Sequence, residues 1–230
     1  MPAAGSGTRL GADVPKALIE IAGKPLFVHA ADLLVRHPDC VEAVFATPKG
    51  FEARFTQVIE REWSGSSVRV VTGGRTRQES VFKALRALQA KCDAVLVHDA
   101  ARPFLREDLL DLMLAALTGD CVAVVPGLPV TDTIKRVQLE TQSVFSTLER
   151  ADLIAVQTPQ AILVYVAEEA HRLSKVSGFE GTDDVSLVEH FELGTVRVVA
   201  GDPRNFKVTT AEDLARARDL LEDKARRMAQ

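Results

Sequence analysis

Several clusters in the sequence bring residue types to spacings that could handle a phosphorylated ligand. The first is Ala3-Ala4-Gly5-Ser6-Gly7-Thr8-Arg9-Leu10-Gly11, followed by Pro15-Lys16. Glycines and small residues let backbone N–H groups close around an anion, and Arg9 and Lys16 aim positive charge at the same place. A triphosphate suits such a nest; the competing reading is a flexible loop with solvated charges. The pattern is not the Walker type, which needs Gly-Lys-Ser/Thr directly after the loop. Nor is it the full dinucleotide fingerprint, because the third glycine and the helix opening are misplaced.

The second cluster is the apolar run Ala94-Val95-Leu96-Val97 ending in His98-Asp99-Ala100-Ala101-Arg102-Pro103. Ligands of open parallel sheets sit beyond the carboxyl ends of strands. Asp99 therefore stands either as a carboxylate for Mg²⁺ at a phosphate or as a turn cap paired with Arg102. Thr72-Gly73-Gly74-Arg75-Thr76-Arg77-Gln78-Glu79-Ser80 leads another strand into a helix N-terminus, where backbone donors are unpaired. Such a turn could read a base edge, or simply turn. Lys207 lies between Phe206 and Val208 and is either held by its apolar neighbours or solvated. Thr182-Asp183-Asp184 is either a helix cap or a polar pocket wall. The five histidines show no ligand spacing, and no Gly-x-Ser-x-Gly elbow appears. Phosphate donors, one acid and a base-reading turn suit nucleotidyl transfer, where positioning and charge neutralisation do most of the catalysis.

Such residues need a scaffold that lines up strand ends. Strand-like runs occur at 41–47, 68–72, 94–98, 121–126 and 196–200, and helix-period segments at 25–36, 52–63, 77–90, 106–118, 159–175 and 211–228. The alternation predicts an α/β fold, a Rossmann-like, mostly parallel sheet with helices on both faces. Pro25 and Pro159 suit a first helical turn, and Thr210 with Asp213 resembles a capping box with Asp in place of Glu. Residues 130–150 are polar and Thr-rich, and read as a hairpin arm with strands at 133–138 and 143–148. Isolated hairpins are marginal in water, so this one is expected to pack on a second copy of the chain. Only Met1 and Pro2 precede the glycine-rich turn, so either the sequence starts inside a strand or the first strand is unusually short. With no repeat or linker, residues 1–230 read as a single domain.

Composition narrows the partners. The hydrophobic fraction of 47% supports a sizeable core. The 28 basic residues against 32 acidic ones give a net charge of -4 and no global field for nucleic acid or an anionic membrane. Three scattered cysteines argue against a disulfide framework and for a reducing compartment. With no apolar run of roughly 20 residues and no secretion-type start, the expected location is cytoplasmic.

Taken in order, Pro2 to Arg9 with Pro15-Lys16, Gly73-Gly74 with Arg77 and Ser80, Val97 to Pro103, Asp132-Thr133-Ile134-Lys135, Gln157-Thr158-Pro159-Gln160, Thr182-Asp183-Asp184 and Phe206 to Thr209 closely resemble the 2-C-methyl-D-erythritol 4-phosphate cytidylyltransferases of non-mevalonate isoprenoid synthesis. The resemblance runs nearly end to end. It implies a homodimeric enzyme that joins CTP to methylerythritol phosphate with Mg²⁺ as cofactor. By that resemblance Gly5 and Gly7 hold the triphosphate, and Arg9 and Lys16 stabilise charge at the α-phosphate. Asp99 holds the metal. Ala3, Ala4, Gly74 and Ser80 meet cytosine and favour it over purines. Arg150 and Lys207 position the sugar phosphate, and Ala100, Arg102, Thr133 and Thr182 complete its pocket. Thr133 and Arg150 fall in the hairpin, so the family pattern places them in the neighbouring subunit's site. Arg75 departs from the pattern, standing where some relatives carry an acid. Two other readings share many of these features: a ribitol 5-phosphate cytidylyltransferase, and a catalytically silent nucleotide-binding dimer module.

Overall fold

The computed structural model describes residues 1–5 and 14–228. Gly7 and Arg9 lie outside the described residues. After a short 3-10 turn, Lys16–Leu18, a two-stranded ribbon pairs β1 (Glu20–Ile21) with β2 (Lys24–Pro25). Then come α1 (Leu26–Val35), β3 (Ala43–Thr47), α2 (Glu52–Glu62), β4 (Val68–Thr72), α3 (Arg77–Arg86), β5 (Ala94–Val97), α4 (Glu107–Ala116) and β6 (Cys121–Pro129). An arm follows, β7 (Lys135–Gln138) and β8 (Ser143–Thr147), and then β9 (Ile154–Val156), β10 (Gln160–Leu163), α5 (Val164–Ser177), α6 (Val185–His190), β11 (Thr195–Ala200) and α7 (Ala211–Met228).

The α/β class is as expected, and the sheet is mixed. β3 and β4 pair in parallel, as do β11 and β6, whereas β10 lies antiparallel between β5 and β6, and β9 extends β6 antiparallel. Residues 160–163 therefore correct the expectation of a helix from Pro159; the helix begins at Val164. A four-residue run this short cannot be told from the first turn of a buried helix by periodicity alone. Met1 to Ala3 run alongside β3: Ala46 N–H donates to the Met1 carbonyl at 3.0 Å, and Ala3 N–H to the Ala46 carbonyl at 2.8 Å.

Helices cover both faces, as alternating side chains show. Phe45 of β3 joins Phe27 of α1, Phe55 of α2 and Trp63 just beyond α2, while Val44 and Ala46 face Ala84 of α3. Val95 and Val97 of β5 meet Val81 and Val166 of α3 and α5, and Leu96 meets Leu110 and Met113 of α4. The Thr210–Asp213 box forms as expected: Asp213 N–H donates to Thr210 Oγ1, and Thr210 N–H to Asp213 Oδ2. β5 and β6 point their carboxyl ends, and the antiparallel β10 its amino end, toward one rim, where the candidate site lies.

Candidate active site

Asp99 stands two residues beyond the end of β5, so the packing of that strand places its backbone. Its N–H donates to Thr158 Oγ1 at 3.1 Å, across the neighbouring β10 edge. Asp99 is 7% exposed, and its carboxylate meets two cations: Lys207 Nζ lies 2.7 Å from Oδ2 and Arg77 Nε lies 3.0 Å from Oδ1. Burial alone raises the Asp99 pKa, and the two cations outweigh it, holding the carboxyl well below the usual carboxylate range. Asp99 is therefore ionised and doubly paired, and its carboxylate does not cap a turn through Arg102.

Arg77 opens α3, just after the Thr76 cap whose side chain accepts from Glu79 N–H. Besides Asp99 it meets Asp184, with Nη1 2.7 Å from Oδ2. That contact is an ion pair rather than a well-aligned hydrogen bond, since neither Asp184 oxygen has an aligned donor. Burial works against the Arg77 charge, and Asp184 and Asp99 together raise its pKa above the ordinary arginine value. In the Thr182-Asp183-Asp184 segment the helix-cap reading holds for Asp183, and Asp184 is a buried ion-pair partner. Asp183 Oδ1 accepts from Ser186 N–H at the start of α6, while Asp184 turns inward to Arg77 and to His171, 3.4 Å away.

Lys207 is delivered by a loop tied down at several points. Gln157 Nε2 donates to the Asp202 carbonyl and its Oε1 accepts from Asp202 N–H. A Cβ on Gly201 would lie 2.6 Å from Gln157 Oε1, so only glycine lets the loop start this close. Asn205 Nδ2 donates to the Thr158 carbonyl, Arg102 Nη1 to the Asn205 carbonyl, and Val208 N–H to the Ala101 carbonyl. Lys16 reaches the same loop, with Nζ donating to the Val208 carbonyl at 2.9 Å. Arg77, Asp99 and Lys207 thus meet from three separate stretches of chain, and Lys16 braces the Lys207 loop from a fourth.

The glycine turn closes one side. Gly74 N–H donates to Ser80 Oγ, which donates to the Thr76 carbonyl, so the Ser80 hydroxyl holds the turn. A Cβ on Gly73 would come within 2.6 Å of Ala4 Cβ, which brings the opening segment against this turn. Ala3 itself is buried in the core, its N–H bonded to Ala46 of β3. Ala100 is buried and Thr182 exposed. Thr133 and Arg150 stand on the exposed arm, where Arg150 Nη1 donates to the Thr131 carbonyl; among the described residues no hydrogen bond or ion pair ties them to the Asp99 cluster.

Sequence patterns single out Arg77 and Asp184 without giving them roles, and leave His98 and His171 unassigned. His98 is fully buried, with Nδ1 3.0 Å from Thr158 Oγ1 and Nε2 3.1 Å from the Arg102 carbonyl. Thr158 accepts from Asp99 N–H, so its own hydroxyl hydrogen is free to go to His98 Nδ1, leaving His98 to donate from Nε2 as a neutral ring. Burial lowers its pKa to about 4. Its two ring nitrogens tie Thr158 to the Arg102 carbonyl beneath the Asp99 turn.

Cations from the start of α3 and from the loop after β11 gather on a carboxylate at the strand ends of an α/β sheet, an arrangement suited to a nucleotidyltransferase. The family model described as 2-C-methyl-D-erythritol 4-phosphate cytidylyltransferase matches residues 1–223, and the chain belongs to that family. The protein of that name from Bacillus pumilus is 39% identical over 222 residues, covering 96% of this chain and 95% of that protein. Among solved structures, the 4-diphosphocytidyl-2C-methyl-D-erythritol synthase of Anaerococcus prevotii is 31% identical with a TM-score of 0.83, covering 96% of this chain and 95% of that one. The 2-C-methyl-D-erythritol 4-phosphate cytidylyltransferase of Thermus thermophilus is 32% identical with a TM-score of 0.75, covering 93% of this chain and 96% of that one.

Proposed function

We propose that this enzyme joins CTP to 2-C-methyl-D-erythritol 4-phosphate, giving the CDP-methylerythritol product and pyrophosphate. The observation that carries the reading is the pairing of Lys207 and Arg77 with the ionised Asp99, with Lys16 donating to the Val208 carbonyl beside Lys207. An oxygen of the polyol phosphate attacks the α-phosphorus of CTP, and the bond from that phosphorus to the oxygen bridging toward the β-phosphate breaks. The attacking oxygen is already ionised near neutral pH, so no general base is needed. Lys16, with Arg9, stabilises charge growing at the α-phosphate. Lys207 holds the polyol phosphate, together with Arg150 of the arm. Gly5 and Gly7 seat the triphosphate, Ala3, Ala4, Gly74 and Ser80 frame cytosine, and Ala100, Arg102, Thr133 and Thr182 border the polyol.

Mg²⁺ fits the donor chemistry at Asp99. The described residues hold no cluster of three or more His, Cys, Asp or Glu side chains for a metal, and Mg²⁺ at phosphates characteristically takes one or two carboxylates, water and phosphate oxygens. Asp99, a single ionised hard-oxygen donor, matches that pattern; bound there, the ion would neutralise triphosphate charge. We read the chain as one nucleotidyltransferase unit that dimerises through the arm at 130–150, bringing Thr133 and Arg150 to the neighbouring site, and that works in the cytoplasm. Relatives named for methylerythritol phosphate favour it over ribitol phosphate as acceptor.

Pyrophosphate release from CTP, with methylerythritol phosphate or ribitol 5-phosphate as acceptor, tests the reading. Release with methylerythritol phosphate is expected, and Lys16→Ala should lower kcat/KM about a hundred- to a thousandfold, as removal of one preorganised donor to a developing charge does. Preference for ribitol phosphate, or no pyrophosphate with either, would overturn the assignment, and near-parental turnover of Lys16→Ala would remove that residue from its role.

A further inference from the structure

Behind Asp99 lies a second layer of buried charge that the reaction described above does not use. Asp184, Arg77 and His171 form a chain that ends on Asp99. The side chains of Asp184 and His171 are 1% and 2% exposed, that of Arg77 27%, and that of Lys207 41%. Asp184 stands at the cap position of α6, yet its carboxylate makes no cap hydrogen bond there. Its placement comes from Gln160 of β10, whose Oε1 accepts from Asp184 N–H at 3.0 Å and Val185 N–H at 3.2 Å, and from His171 of α5, which lies in stacked contact with Phe82 of α3. The anchor is thus built from packed elements, independent of the loop that carries Lys207. Buried ion pairs add little net stability over apolar replacements, so the core does not account for this one. Its geometry does: Arg77 spans two carboxylates, one immobile and one at the reaction centre.

We infer that Asp184 is a positioning residue for nucleotidyl transfer: acting through Arg77, it fixes Oδ1 of Asp99, so that only Oδ2, where Lys207 sits, exchanges partners during turnover. Arg77 is the permanent counter-ion and Lys207 the exchangeable one. With the Asp184 charge removed, Arg77 loses its outer anchor and is free to shift across both oxygens of Asp99, which then competes with whatever Asp99 must bind. The inference rests on the reading of Asp99 as the acid at the reacting phosphate.

The test is a double-mutant cycle on the full-length protein with Asp184→Asn, Arg77→Met and the double variant. Steady-state kinetics with CTP and methylerythritol phosphate would be run beside calorimetric binding of CTP with and without MgCl₂. Asp184→Asn should lower kcat roughly tenfold to a hundredfold, the usual scale for losing a partner that orients a ligating group, with the KM for CTP within about threefold. Because Asp184 works through Arg77, the double variant should be no slower than Arg77→Met alone. Should Asp184→Asn or Arg77→Met lack a cooperative melt, Arg77→Lys decides. It keeps the charge but cannot span both carboxylates, and its kcat should fall tenfold or more with CTP binding retained. Additive losses in the cycle, or a kcat within twofold of the parent in any folded variant, would overturn the inference. An inactive parent would instead sink the functional reading on which it rests.

Discussion

At the scale of single residues, the site is a balance of two buried acids against two cations, with a neutral histidine beneath. His98 has a testable consequence. Its ordinary pKa of 6.5 is lowered to about 4 by burial. Between those values the unfolded chain takes up a proton at His98 that the folded protein refuses. The unfolded state then binds more protons, so stability rises with pH through that window and falls as pH drops from 6.5 toward 4. The loss from this one group is on the order of 3 kcal/mol. Asp99 and Asp184, whose pKa values are lowered, withdraw their stabilisation only at more acidic pH. Urea midpoints measured from about pH 7 down to about pH 4 should therefore fall before the carboxylates titrate, and His98→Gln should flatten that part of the curve. A parent curve with no slope there would contradict the buried neutral ring.

At the scale of elements, β10 and the arm matter most. β10 brings Thr158 and Gln160 between the β5 and β6 sides of the site, one to seat Asp99 and the other to seat Asp184. The arm is the opposite kind of element. It is hydrogen-bonded only to itself as a sheet, and its apolar side chains stand in solvent, with Leu139 76%, Phe145 75% and Val144 61% exposed. A two-stranded hairpin with such a surface is marginal alone, which is the physical argument for pairing with a second copy. Sedimentation should find the parent as a dimer, and Leu139→Glu with Phe145→Glu should shift it toward monomer and lower kcat/KM for the polyol phosphate, because Thr133 and Arg150 would leave the neighbouring site. A monomeric parent, or a dimer indifferent to both charges, would contradict that role for the arm.

At the scale of the molecule, the sequence was legible where chemistry and periodicity agree. The strand at Val68–Thr72 and the helix at Ala211–Met228 have the bounds expected from their patterns, and the hairpin lies where the polar Thr-rich segment placed it. Asp99 was found because an apolar strand ends on it, and Lys16 and Lys207 because of their loops. Less legible were groups whose roles depend on contacts between distant segments. Asp184 and Arg77 are 107 positions apart in number and meet only once α3 and α6 pack. His171 reads as one more polar residue on an amphipathic helix. The antiparallel β10 is hidden because four residues give too short a pattern to separate strand from helix. The central claim is that the cations of separate loops share one phosphorus. It is tested most directly by a crystal structure with CTP and methylerythritol phosphate bound. The expected result is an α-phosphate oxygen within about 3 Å of Lys16 Nζ, Lys207 moved from Asp99 Oδ2 to the polyol phosphate, and Arg77 still on Oδ1. A triphosphate bound away from Lys16 and Asp99, with the Lys207–Asp99 pair undisturbed, would contradict it.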